Sequence, residues 1–310
     1  MTKKYTAILF VFITLLALLS SASAECMRNP SSNAIMTINN SVSVPPLILY
    51  DSNLGWGDAC NTMPDQYTVS FYKLGVCKED PSSNDLTSCQ FMLNSDAVNG
   101  VTHTIRYPNE AALATGDFEI APDTYGYMVA ILSNKLGITH TESFTVPLQG
   151  STTSGDTCWT AGFDTAISGD VYTHNDHGAL VISSVNSPTL ECGAAGIAAP
   201  EVSYEVIDTM GEGGCGAEFA ASNTPIVMSN GTANGSLLTS TNVAATDCIN
   251  ASRILWTIDL TTPLVVTETT EFTLTFDISG SVSVDAGSNA GIGTMVKMGA
   301  DPFEATLTTR

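Results

Sequence analysis

Half of the chain's four histidines fall within one nonapeptide, Asp170-Val171-Tyr172-Thr173-His174-Asn175-Asp176-His177-Gly178. Two imidazoles three residues apart with a carboxylate between them, His174, Asp176 and His177, form a donor set suited to zinc or copper. The same residues read first as a polar hairpin loop between Ala166-Ile167 and Leu180-Val181-Ile182, because Asn-Asp-His-Gly is ordinary turn chemistry. Structural calcium draws on carboxylates, Asn side chains and carbonyls of irregular loops, and it has loose candidates in residues 51–58, 117–123 and 156–170. Three tryptophans could offer flat platforms to sugar rings. Trp56, between Gly55 and Gly57, is the best exposed candidate for ligand binding; Trp159 and Trp256 are weaker, and Trp256 sits in an apolar strand pattern.

The first calcium candidate departs from an EF-hand loop at the sixth position, Trp56 where Gly is needed, and at the twelfth, Thr62 where Glu is needed. The chain has no G-x-S-x-G elbow, no D-T-G, no H-E-x-x-H and no phosphate loop of the G-x-x-x-x-G-K kind. Its many carboxylates offer countless pairs, and spacing alone does not select two that face one another across a glycosidic bond. The expectation is a protein that is not an enzyme and needs no cofactor, with structural calcium possible and zinc at His174, Asp176 and His177 left open.

Cys26, Cys60, Cys77, Cys89, Cys158, Cys192, Cys215 and Cys248 carry a different chemistry. Their number is even and no C-x-x-C occurs, which argues against zinc, thioredoxin-like and haem-attachment readings and for a disulfide framework. Four precede the long cysteine-free gap and four follow it, so pairing in order within each half is expected. An oxidising environment is implied by the first twenty-four residues too. Lys3 and Lys4, the apolar run Ala7 to Leu19 and Ala22-Ser23-Ala24 have the layout of a cleaved signal peptide, and the run is short for a membrane span. The expected mature chain starts at Glu25 and works outside the cell or on its surface, or in the periplasm if retained. It is not an integral membrane protein.

Charge narrows the partners. The 310 residues carry 10 Lys and Arg against 31 Asp and Glu, a formal charge of −21. Losing Lys3 and Lys4 makes the surface more acidic still. Nucleic-acid binding needs clustered cations that displace counterions from phosphate, and Lys73, Lys78, Arg106 and Arg253 are isolated, so that class is excluded.

The elements that must carry these residues read as strands. In Tyr67 to Leu74, Tyr67, Val69 and Phe71 form one apolar face; Tyr125 to Leu132 is apolar on both faces after Gly126. Further strands are expected over 202–207, 254–260, 271–278 and 293–298, with Asn-Gly at 99, 230 and 234 and Ser-Gly at 279 as turns. Residues 110–115 are the only short helical candidate. The fold class is therefore all-β: disulfide-stabilised antiparallel β-sandwich modules of immunoglobulin-like or transthyretin-like architecture. The small polar stretch 149–156 is the best linker, dividing a module over 25–148 from one over 157–310, with one continuous sandwich as the alternative.

Two readings of function follow. The first is a secreted structural or adhesive surface protein, a subunit of a filament, surface layer or matrix that self-associates or joins other surface proteins through β-strand pairing. A terminal strand with Phe303, Ala305 and Leu307 on one face could be donated to a neighbour's open edge, or pair within its own sheet. The alternative is a module that binds glycan or another extracellular ligand, or an accessory domain of a secreted enzyme system.

Overall fold

The structure, a computed structural model, describes residues 25–36, 60–106, 120–150, 152–162, 190–207, 210, 220–222, 225–289 and 293–309. They are all-β. The one helical element among them is a 3-10 turn, Ala195–Ile197.

The larger sheet is organised around β2 (Gln66–Cys77), a twelve-residue strand. Along one edge of β2, β5 (Asp123–Ser133) and β6 (Lys135–Thr139) run end to end and antiparallel to it. Along the other, β3 (Cys89–Asn94) and β4 (Val101–Ile105) do the same. β5 continues outward into β13 (Arg253–Val266), β12 (Gly231–Leu238) and the edge strand β11 (Ile226–Met228), while β6 pairs with β10 (Ser203–Val206). The sheet thus forks where β5 gives way to β6. Buried Asn134 occupies the fork and its amide donates to the carbonyls of Ile207 at 2.9 Å and Ala251 at 3.1 Å, tying both branches together. β13 survives its own Pro263 because its register with β5 shifts between Asp259 and Leu264, a bulge that spares the ladder a missing donor.

The second sheet has the order β1 (Cys60–Thr62), β15 (Val282–Asn289), β16 (Gly293–Ala300), β7 (Thr141–Gln149), β8 (Ser154–Thr160) and β9 (Leu190–Gly193). All its neighbours are antiparallel except β7 and β16, which meet in parallel at Gln149 and Met295. A two-stranded ribbon of β14 (Phe272–Asp277) and β17 (Glu304–Thr309) completes the fold.

One main core joins the sheets: Tyr67, Phe71 and Leu132 from the larger, Phe144, Val282 and Val284 from the smaller, and Phe303, Ala305 and Leu307 beside the ribbon. A smaller cluster of Tyr72, Val129, Ile131 and Leu255 lies on the opposite face of the large sheet, covered by Leu86 and Phe91. This explains why 125–132 is apolar on both faces. The alternation in β2 breaks between Phe71 and Lys73, where the register with β5 shifts and Tyr72 joins the second cluster. Arg253 stacks on the Tyr72 ring at 3.7 Å and closes that side.

Three disulfides join Cys26 to Cys60, Cys77 to Cys89 and Cys158 to Cys192. Cys248 is disulfide-bonded as well, and Cys215 lies outside the described residues. Cys158 and Cys192 are register partners in β8 and β9, so their bond fixes the edge of the smaller sheet. At a sequence separation of 34, replacing both by serine is expected to lower the unfolding free energy by about 3–4 kcal/mol, measured by urea denaturation against the parent chain.

Three expectations are corrected. Residues 149–156 are not a linker: Gln149 pairs with Ser154, Gly150 N–H bonds the Thr153 carbonyl at 2.7 Å, and the stretch is the β7–β8 hairpin turn. Glycine and small polar residues serve a tight turn as well as a linker, and here Gly155 lies so close to the Gly193 backbone that a Cβ would collide with it. The two halves are not separate modules either. β5 pairs with β13 and β1 with β15, so strands from both ends of the chain share each sheet, which is the alternative of one continuous sandwich-like body. Finally, Asn234-Gly235 is not a turn but the middle of β12, where Gly235 stands opposite Trp256.

Candidate functional site

A groove of about 730 Å³ lies on the inner face of the large sheet, where the branches diverge. Its volume lies in the range of ligand sites. Its floor is apolar: Leu132 from β5, Leu136 from β6, Ala233 from β12 and Ile254 from β13, all buried. These side chains face one way because alternate residues of neighbouring strands share a face. Trp256 and Phe303 form one wall, with ring centroids 5.1 Å apart at 75°.

A lip of the groove is formed by Asp277, Ser279, Gly280, Asp301, Pro302 and Glu304 and is pinned by hydrogen bonds. Buried Asn61 on β1 donates to the Gly280 carbonyl at 2.7 Å and to the Asp301 carboxylate, and the Tyr67 hydroxyl donates to the Asp301 carbonyl at 2.9 Å. At the far end Asn230 in the β11–β12 turn donates to the Ala305 carbonyl at 3.0 Å. Four carboxylates, Glu25, Asp277, Asp301 and Glu304, stand along the groove, and no Lys, Arg or His is present among its described lining residues.

One end of the groove is the sheet edge. Ile226 and Met228 line it, whereas Val227 between them points to the other face, and Ile226 and Val227 are 44% and 70% exposed. The turn between β11 and β12 has two residues, with Met228 opposite Gly231. In such a hairpin the closing pair is hydrogen-bonded and the next pair is not, so the N–H and C=O of Val227 point away from β12. Among the described residues no strand pairs with that side of β11. The sequence carried a signal for this edge, Pro225 followed by an apolar triplet and Ser229-Asn230-Gly231, but three residues were too few to stand out as a strand.

A second polar cluster is structural. Arg28 grips Glu142 with two hydrogen bonds of 2.8 and 2.7 Å and reaches Thr62 at 2.8 Å, while His140 Nε2 lies 3.5 Å from the same carboxylate. Burial pushes the Glu142 carboxyl up, but Arg28 and His140 outweigh it and hold it down at about 2. His140 and Glu142 are buried, so this cluster locks the N-terminal segment to β7 and offers no open position to a substrate.

His174, Asp176, His177 and Trp56 lie outside the described residues. Among the described residues no group of three or more His, Cys, Asp or Glu is placed to hold a metal ion. Trp159 is buried, and Trp256 is a groove wall rather than an open platform. The proposed assembly face of the C-terminal strand is corrected: Phe303, Ala305 and Leu307 are 3%, 1% and 7% exposed and fill this chain's own core, and β17 pairs with β14. Six consecutive register pairs join it to β14 within this chain.

No protein-family model, curated protein or solved structure matches the chain. The site stands on its own residues. Three disulfides, and no helix among the described residues long and apolar enough to cross a membrane, are compatible with a secreted protein.

Proposed function

We propose that this chain is a structural or adhesive protein of the cell exterior that joins its neighbours through the open edge of its large sheet. The observation that carries the reading is β11. Among the described residues no strand pairs with its outer side, and it exposes Ile226 and Val227, which natural sheets normally charge or cover; here it adjoins an apolar groove. Strand addition supplies affinity through main-chain hydrogen bonds and specificity through alternate side chains entering pockets. The acidic, disulfide-stapled body suits a protein exposed to an oxidising exterior. The groove also favours a second reading, an extracellular binding module, with an apolar rather than a sugar-like ligand given its Leu, Ile, Trp and Phe surface.

Val227→Pro tests the first reading because it removes the outward N–H without touching the pairing to β12. In immunogold electron microscopy of the producing cells, the parent chain is expected on the cell exterior and the folded variant in the medium. A parent chain found only as free secreted monomer would count against the reading.

A further inference from the structure

We propose that the occupant of this edge and groove is an extended segment of a different protein, with apolar side chains at alternate positions and Lys or Arg flanking them. The inference rests on the strand-docking reading above and names the partner's chemistry.

Three features of the site define that chemistry. Val227 offers one outward N–H and one outward C=O, so the incoming segment must be extended and bring its own backbone into register. Ile226 and Met228 face the groove at the sheet edge, so every second side chain of an added strand falls beside them at its mouth. Those side chains must be apolar, because a polar group there finds few partners and loses its water. The carboxylates along the groove then choose the charge. Glu25, Asp277, Asp301 and Glu304 face one space with no cation among the described lining residues, and an acidic segment entering it would meet like charge at every step.

The same charge argument excludes a second copy as the occupant. The chain holds 10 Lys and Arg in all, and none of its expected or observed strands combines two of them on a free, alternating apolar segment. Lys73 and Lys78 flank the end of β2, the most deeply enclosed strand of the sheet, and two copies brought together here would bring their acidic surfaces together as well.

The test uses the chain from Glu25 onward and two synthetic peptides of about eight residues, one alternating valine with lysine, the other valine with glutamate. Isothermal titration is expected to show the lysine peptide binding more tightly than the glutamate peptide by roughly tenfold or more, with affinity falling as salt rises. Val227→Pro should weaken the lysine peptide by about tenfold, and Asp277→Asn with Glu304→Gln should narrow the difference between the peptides. Equal binding of both peptides, or no binding of either, overturns the inference. Sedimentation velocity without peptide separates it from the docking reading. Dimers abolished by Val227→Pro would overturn the heterotypic partner and leave edge docking intact, whereas peptide selectivity with unchanged cell-surface retention of Val227→Pro would place the fault in the functional reading.

Discussion

Phe303→Ala is expected to lower the unfolding free energy by roughly 3–5 kcal/mol, the range for deleting a buried aromatic side chain that its neighbours refill only in part. Phe303 is 3% exposed and is the hub of an aromatic group: its ring meets Tyr67 at 5.3 Å, Trp256 at 5.1 Å and Phe276 at 5.2 Å, each edge to face. Such contacts add to the area term. Three elements lose support together, β2 through Tyr67, β13 through Trp256 and β14 through Phe276. Because Trp256 also walls the groove, the loss should be visible in tryptophan emission before global unfolding, as a shift to longer wavelength at low urea. Phe303→Leu, which keeps most of the volume, should recover more than half of the stability. A stability change below about 1 kcal/mol for the alanine variant would show that the C-terminal strand is not part of the core.

The second large effect is at Arg28. Arg28→Ala removes the guanidinium that grips the buried Glu142 carboxylate, and breaking a pair from one side costs about 3 kcal/mol or more. The pH dependence follows from the Glu142 carboxyl, held at about 2 against an ordinary value of 4.5. Its folded value is depressed, so its stabilisation is fully present above pH 4.5 and is lost as pH falls toward 2. The difference corresponds to about 3 kcal/mol. The parent chain should therefore lose stability steeply between pH 4.5 and 2, and Glu142→Gln should flatten that limb while lowering stability at neutral pH. Denaturation midpoints measured from pH 2 to 7 decide it. An acid limb unchanged by Glu142→Gln would assign the transition to other carboxylates.

Strand existence was legible wherever a segment was long and strongly patterned. Tyr67, Val69 and Phe71 alternate and are buried within β2, and 125–132, 202–207, 254–260, 271–278 and 293–298 all coincide with strands. The short elements were not legible. Three or four residues such as Cys60–Thr62 or Leu190–Gly193 carry no measurable period, and they are strands because a neighbouring strand supplies the ladder. The misreading at Gln149 to Asp156 has a similar root: local chemistry specified a reversal of the chain, and only tertiary pairing shows that the reversal is a hairpin. Asn234-Gly235 failed the other way, since a strong turn dipeptide was overruled by its pairing with Thr257 and Trp256 of β13. The groove was least legible of all. Its floor comes from two strand pairs that are remote in sequence, β5 with β6 and β12 with β13, and its carboxylates from both ends of the chain, so no spacing in the sequence announces it.

β1 and the turn before β15 are joined by the Asn61 amide across 219 residues of sequence. Such closure makes the time at which each piece is synthesised matter. A nascent chain that has emerged only through β9 holds part of each sheet, with β2 and β5 present but β13 and β15 still to come, and it presents unpaired edges rather than a finished domain. Chains with this many remote pairings fold slowly and are vulnerable to edge-to-edge aggregation while incomplete. A protein wired in this way is better released whole before it commits to a shape. Truncation anywhere before β15 should yield insoluble material rather than a smaller stable fold.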